Sequence, residues 1–325
     1  MFFLRFCLLS GIVLSFAPLF AFIDGRASAF QACALQLAAG NAALALILLA
    51  FRYRVWAMAG LIAAFWNMAL VWPAIAHPKA PPAAQSLKVV SLDLWYENPD
   101  PKKAAAWLLK SGADVIGLSE VTPESKAALA AMKSVYPYSV DCIGQDRFCE
   151  LILLSKKPIR YAFAGKVGAK LTYVASADIQ WQGRDISVSV THIIVPFVKP
   201  DWPPILAWVP AGDPAPLLAG APPLWQSMQA AVLSEYVSTL KPDRIVMGDF
   251  NSVPWGELQA TFRAAAGLEN RGALTPSWPA WAPAPLRIPI DQVFVGGALG
   301  IRSLATGPNL GSDHLPIVAE IAVPH

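Results

Sequence analysis

The chain has 325 residues, 55% of them hydrophobic and only 14% charged, whereas an ordinary soluble domain carries about a quarter charged residues. That balance excludes a disordered chain and an ordinary water-soluble protein, and it assigns part of the sequence to lipid. The 29 prolines and 12 tryptophans follow no fixed period, which excludes collagen-like and solenoid architectures.

Three uncharged runs occupy residues 6–23, 29–51 and 55–76. A helix needs about 20 apolar residues to cross the hydrocarbon core, so residues 1–76 are expected to form a bundle of about three transmembrane helices. The first run also has the form of a cleaved signal peptide, with Ala27-Ser28-Ala29 behind it. It is read as a retained helix because two more spans follow at once. Arg5 precedes the first run, and Arg52 and Arg54 separate the second from the third. Positive side chains stay on the cytoplasmic side, which sets the N-terminus and the Arg52/Arg54 loop inside. Three crossings, or two from an outside start, then bring the rest of the chain to the periplasmic or extracellular side of the cell (inner) membrane.

Residues 77–87 are rich in proline and read as a stiff linker. Residues 88–325 have the composition of one water-soluble domain. From residue 85 onward, 20 Lys and Arg face 21 Asp and Glu, so the positive excess of the chain lies in its membrane part. The domain lacks the basic surplus that drives non-specific nucleic-acid binding. Nucleic acid is therefore not the favoured substrate, and no protein partner is implied.

Within the domain the pattern alternates. A strand is expected over residues 88–94, then a helix over 101–110 capped by Asp100. A buried strand follows over 114–120, and a helix begins at Thr122 with Pro123 and Glu124 in its first turn. Residues 151–155 read as a short buried strand. Residues 173–181 and 185–193 alternate as a hairpin around Gln182-Gly183-Arg184. An amphipathic helix is expected over 224–240, and strands over 244–250, 290–295 and 316–323. Strands interleaved with helices predict an α/β layered core. Residues 196–223 show almost no periodicity and read as a long loop. Its Trp202 and Trp208, with Trp225 just beyond, are suited either to packing or to a membrane interface. Cys7 and Cys33 fall in the apolar runs as small apolar residues. Cys142 and Cys149 are close enough in sequence to pair on an oxidising side of a membrane, or to remain free thiols.

Polar residues gather where apolar strands stop: Asp93, Glu120, Asp249 with Asn251, Asp291, Asp313 with His314, and His192. Any one of them fits a turn or a cap. So many acids at the ends of buried strands need pairing or a metal to offset their desolvation. Oxygen donors of this kind suit Mg²⁺ or Mn²⁺ rather than zinc. Carboxylates, imidazoles and a hard cation together can hydrolyse a phosphate ester.

Three motifs carry a family resemblance: Val115-Ile116-Gly117-Leu118-Ser119-Glu120-Val121, Gly248-Asp249-Phe250-Asn251 with Pro254-Trp255, and Ser312-Asp313-His314-Leu315-Pro316-Ile317. Val90-Ser91-Leu92-Asp93, Leu153-Leu154-Ser155, Thr191-His192 and Ile290-Asp291 support them. In this order they resemble the signature strands of the endonuclease/exonuclease/phosphatase superfamily, the DNase I-like fold. The resemblance covers about residues 88–323 and implies a four-layer α/β sandwich that cleaves phosphodiesters or phosphomonoesters with Mg²⁺. It implies metal ligation by Glu120, with Asp313 of the final Asp-His as a further ligand, and orientation of water and phosphate by Asp249 and Asn251. Asp93, an extra carboxylate near Glu120, either joins the metal ligands and tightens binding or raises a neighbouring pKa by like-charge repulsion. It implies that His314 contacts the phosphate or activates water, held by Asp291, and that His192 acts as a general acid. Glu150, just before a strand, either pairs with His192 or is a solvated acid. Asp93 stands where the family usually has asparagine, Ser119 where it often has glutamine, and Gln292 where it has His or Tyr. Two functions are compatible with these residues. One is a membrane-anchored phosphoesterase acting on a lipid headgroup, a small phosphodiester or nucleic acid. The other is a catalytically silent, membrane-tethered binding or scaffold module.

Overall fold

A computed structural model describes residues 2–20, 30–75, 85–144, 149–168, 172–195, 222–270 and 274–324. The chain divides into two compact units. The first holds residues 1–76, 195–227 and 252–259, and the second the remainder.

In the first unit, α1 (Phe2–Phe16), α2 (Ala34–Ala50) and α3 (Arg54–Ile75) are apolar on all faces. A 3-10 turn, Ala17–Phe20, extends α1. All three segments are long and apolar enough to cross a membrane. The first run begins at Phe2 instead of residue 6, and residues 21–29 lie outside the described residues. Small side chains let these helices approach: a Cβ on Gly60 would lie 2.9 Å from Leu8 and 3.0 Å from Ala45. A polar thread crosses the bundle, with Asn41 Nδ2 donating to Ser15 Oγ at 2.9 Å and Ser15 Oγ to the Gly11 carbonyl. The Arg5 guanidinium stacks 4.0 Å from the Tyr53 ring centroid.

The second unit is built on two mixed sheets. Its strands are β1 (Gln85–Asp93), β2 (Val115–Ser119), β3 (Tyr138–Asp141), β4 (Ile152–Ser155), β5 (Ile159–Val167), β6 (Thr172–Trp181), β7 (Arg184–His192), β8 (Arg244–Asp249), β9 (Leu268–Glu269), β10 (Asp291–Gly296), β11 (Gly300–Thr306) and β12 (Ile317–Val323). One sheet runs β11-β12-β1-β2-β4-β3 and the other β5-β6-β7-β8-β10-β9. The β1–β2 and β7–β8 pairs are parallel, and the other pairs antiparallel.

Alternation along each strand sorts side chains between the two faces. Leu87 and Val89 of β1, Val188 and Val190 of β7, Ile245 and Met247 of β8, and Val293 and Val295 of β10 meet in one core between the sheets. Val90, Leu92, Ile116, Leu118, Ile152 and Leu154 face outward instead. There they pack on α4 (Pro101–Lys110) and the 3-10 turn Leu129–Ser134 that follows α5 (Pro123–Ala128). The other sheet is covered in part by α6 (Pro222–Ser238) and α7 (Glu257–Ala266). Leu233 and Val237 are fully buried, and Phe250, Phe262 and Phe294 stack edge to face or tilted with centroids 4.9–5.6 Å apart. The result is the four-layer α/β sandwich with DNase I-like topology. Gly117 lets the sheets close: a Cβ there would sit 2.5 Å from Val190 Cγ2 and 2.8 Å from Met247 Cε.

Local signals act as expected. Asp100 caps α4 by accepting from the Lys103 N–H, and Thr122 and Ser125 form a reciprocal capping box. Several expectations are corrected. Residues 85–87, expected to end the linker, are the first residues of β1 and pair with β12. Residues 77–84 and 196–221, the rest of the linker and most of the long loop, lie outside the described residues, with Trp202 and Trp208 among them. Pro222 and Pro223, read as the end of that loop, open α6. Trp225 lies in α6 and is buried. The strands β3, β5, β9 and β11 and the helix α7 were not expected.

Candidate active site

The same alternation that builds the core builds the site. Leu87, Val89, Ser91 and Asp93 share a face of β1, so Asp93 continues the row that points between the sheets. By the same parity Ser119 follows Val115 and Gly117, His192 follows Val188 and Val190, and Asp249 follows Ile245 and Met247. Register does the rest. Asp93 pairs with Ser119, and His192, Asp249 and Asp291 are opposite one another across β7, β8 and β10. Each row ends its sheet, so the strands deliver acids and an imidazole to one end of the inter-sheet layer. Gly248 permits the close β7–β8 approach there, because a Cβ would collide with the Thr191 carbonyl.

Turns bring the remaining groups inward. Three of the five described non-glycine residues with positive φ lie here: Trp95 at 60°, Glu120 at 50° and Asn251 at 45°. Such backbone is unfavourable for residues with a Cβ and concentrates where side chains must be aimed. The Tyr96 N–H donates to Glu120 Oε2 at 3.1 Å, and the Asn251 N–H to Asp249 Oδ1 at 2.7 Å. Asn251 Nδ2 donates to the Ile193 carbonyl at 2.9 Å and lies 3.3 Å from His192 Nε2. Asp93 receives the Trp95 N–H at 2.8 Å and the Ser119 hydroxyl at 2.7 Å. The Ser312 hydroxyl donates to the Asp93 carbonyl and accepts the His314 N–H, which ties the last loop to β1.

The imidazoles are embedded in acid. His314 Nδ1 is 2.8 Å from Asp291 Oδ2, and its Nε2 is 3.9 Å from both Asp249 Oδ2 and Asp313 Oδ1. His192 Nε2 lies 3.8 Å from Asp249 Oδ2 and 4.0 Å from Glu120 Oε1. Burial by itself opposes the imidazolium, but the surrounding carboxylates outweigh it. His192 is raised to about 9 by Asp93, Glu120, Asp249 and Glu150, and His314 is raised well above its ordinary value, chiefly by Asp291. The acids move up as well. Burial, then Asp93, pushes Glu120 to about 8, and burial, then Asp291, pushes Asp249 to about 7. Glu150 is also raised, by burial foremost, with His192 opposing. Glu150 acts on His192 through space, whereas the ion-pair distances to His192 belong to Glu120 and Asp249. The Glu150 backbone holds the Val121 N–H at 3.0 Å, just beyond Glu120. Nearby, Cys142 and Cys149 are joined by a disulfide with Cα atoms 5.6 Å apart.

The donor set suits a hard divalent cation. Asp93, His192 and Asp249 offer ligand atoms within 4.8 Å of one another, as do Asp249, Asp291 and His314. Asp291 Oδ1 and Asp313 Oδ1 are buried with no hydrogen-bond partner among the described residues. Unpaired buried carboxylate oxygens are costly unless something positive joins them. A cation among these carboxylates would offset that cost.

All eight residues singled out in the sequence for catalysis or metal binding lie among these contacts. Ser119 and Ser312 figured in the sequence only as motif positions with no role of their own, and Trp278 not at all. Trp278 Nε1 donates to Asp313 Oδ2 at 3.1 Å from 35 residues away, a contact with no sequence signal. The parity of Ser119 with Gly117 was available in the sequence.

Comparisons agree with this architecture. The chain resembles the endonuclease/exonuclease/phosphatase from Bacteroides vulgatus with TM-score 0.56 and 14% identity, over 73% of this chain and 98% of that one. It resembles sphingomyelinase C from Streptomyces griseocarneus with TM-score 0.52 and 17% identity, over 73% and 99%. It resembles Staphylococcus aureus beta toxin, solved with bound magnesium ions, with TM-score 0.52 and 16% identity, over 72% and 99%. At such identities these likenesses concern the fold. No curated protein sequence matches the chain. The sequence profile of the Endonuclease/Exonuclease/phosphatase family, however, matches residues 65–314, and the chain therefore belongs to that family.

Proposed function

We propose that this protein is a membrane-anchored, divalent-metal-dependent phosphoesterase that hydrolyses a phosphodiester by attack of water. Members of the family hydrolyse phosphoesters with metal ions. The observation that carries the reading is that the carboxylates of Glu120, Asp249, Asp291 and Asp313 lie within 4.0 Å of the two imidazoles, Asp249 within 4 Å of both. In this reading Asp93, Glu120 and Asp313 would hold Mg²⁺ or Mn²⁺, which would supply positive charge opposite the phosphoryl oxygens.

The chain's own groups supply the rest. Asp249, raised to about 7, takes a proton from the attacking water, and Asn251 orients water and phosphate. His314, with Nδ1 committed to Asp291, presents Nε2–H to a phosphoryl oxygen. His192, raised to about 9, carries a proton at neutral pH and delivers it to the leaving oxygen as the P–O bond breaks. Donors prepositioned for developing charge are the larger part of such catalysis. Glu150 reinforces the charge on His192. Removing the divalent cation with EDTA should abolish hydrolysis, and Mg²⁺ or Mn²⁺ should restore it. A screen of the full chain on generic phosphodiester, phosphomonoester and sphingomyelin substrates tests this, and activity that survives EDTA would refute it.

Residues 1–76 form the anchor, a proline-rich linker follows, and the catalytic domain that begins with β1 faces the periplasm or exterior. The bias of Arg5, Arg52 and Arg54 supports this orientation. The near-neutral domain favours a lipid headgroup or small phosphodiester over nucleic acid. Protease added to intact spheroplasts should digest the domain, and complete protection would reverse the orientation.

A further inference from the structure

Trp281 and Leu286 are 79% and 62% exposed, the most exposed large apolar side chains described in the second unit. They sit on one loop. No charged residue lies between Arg271 and Arg287, and Pro283, Ala284 and Pro285 between the two are exposed as well. Exposed apolar clusters of this kind are disfavoured in water and mark a surface that is covered in use.

The loop is held rigid from within. The Trp278 and Ile288 backbones pair at its base. The Arg287 guanidinium turns inward and donates to the carbonyls of Ala282 at 2.7 Å and Ala280 at 3.2 Å. Prolines at 279, 283 and 285 remove backbone freedom. A collapsing loop would bury Trp281, whereas this one holds it out.

The loop is also fastened to the site. Trp278 Nε1 donates to Asp313 Oδ2, the Ala280 N–H to the Asp313 carbonyl at 2.7 Å, and the Leu315 N–H to the Ser277 carbonyl at 3.0 Å. Two of these bonds fall on Asp313 and the third on the residue after His314. Whatever engages the tip is therefore brought beside those groups.

We infer that the 278–287 loop is a wedge that enters the surface of a phospholipid bilayer, and that the substrate is a phosphodiester carried in that bilayer. A tryptophan and a leucine on an uncharged, proline-stiffened tip match the chemistry of the membrane interface. A bilayer is the occupant favoured over a protein because this chain also carries three helices long and apolar enough to cross a membrane. The inference rests on the phosphoesterase reading for its substrate, but not for its lipid contact.

Two measurements separate the two claims. The full chain is reconstituted in phosphatidylcholine–sphingomyelin vesicles, as wild type and as Trp281→Ala/Leu286→Ser. The variant should hydrolyse vesicle lipid about tenfold more slowly or worse, the loss of interfacial burial for two large apolar groups. Its rate on soluble bis(p-nitrophenyl) phosphate should stay within about twofold, because neither side chain is in the catalytic machinery. Unchanged vesicle hydrolysis in the variant, or wild-type activity on the soluble ester alone, overturns the wedge. Inactivity on both substrates overturns the phosphoesterase reading instead. The second measurement needs no activity. Leu286→Cys is labelled with an environment-sensitive fluorophore in a chain carrying Cys7→Ala and Cys33→Ala. The label should shift to the blue in phosphatidylcholine vesicles and be quenched by brominated lipid. A water-exposed label, or a shift that follows protein density rather than lipid (the signature of a second copy), refutes insertion.

Discussion

Replacing His314 with alanine should lower kcat for phosphodiester hydrolysis by about 10²–10⁴-fold, the range for loss of a positioned proton-transfer group. The side chain is nearly enclosed, and its Nδ1 meets Asp291 at 2.8 Å. That bond fixes the ring and leaves Nε2 aimed between Asp249 and Asp313, 3.9 Å from each. Asp291→Asn should cut kcat by a comparable factor, because an amide no longer stabilises the imidazolium it faces. The test compares kcat, KM and Mg²⁺ affinity in both variants. A large fall in kcat with little change in metal affinity is the expected pattern. Alanine at 314 also strips the partner from a buried carboxylate, at a cost of about 1–3 kcal/mol, so melting curves accompany the kinetics and His314→Gln serves as the better-filled variant. Activity equal to wild type in all three would defeat the catalytic assignment and favour a silent binding module.

Thermal stability without metal should fall as pH rises from about 4 to about 9, and a divalent cation should reverse the fall. The sign follows from three groups. Glu120 is raised from 4.5 to about 8 and Asp249 from 3.8 to about 7. The unfolded chain gives up these protons first, so stability present below pH 4 is lost as pH climbs through the folded values. His192, raised from 6.5 to about 9, contributes stability that is complete below 6.5 and lost as pH passes about 9. All three act in the same direction. Mg²⁺ binds the deprotonated carboxylates, so at neutral pH its binding should release protons. At a concentration 100 times Kd it adds about 2.7 kcal/mol, which for a domain of this size raises Tm by about 5–10 °C. Melts from pH 5 to 9 in EDTA and in Mg²⁺ check both statements. A flat metal-free profile with no Mg²⁺ response would mean that the acids do not form one centre.

Local chemistry made much of this protein legible before any coordinates. Run length and missing charge identify the three apolar helices, because a membrane's thickness sets a length that can be counted along the chain. Asp100 and Thr122 announce their helices, because a cap bonds within three residues of itself. The parity of Asp93 with Val89, and of Asp249 with Met247, is likewise a local property of extended backbone. Other elements were hidden for equally physical reasons. β5 buries only its last residue and β11 carries a bulge at Ile301/Ser303, so neither shows clean alternation. What needed the folded chain was everything set by register. That His192, Asp249 and Asp291 stand in one row, and that Trp278 grips Asp313 while Trp281 is held out in water, depends on which strands pair and by what offset. Those choices are made by contacts between segments as far apart as Asp93 and Ser312, 219 residues along the chain, and no periodicity encodes them.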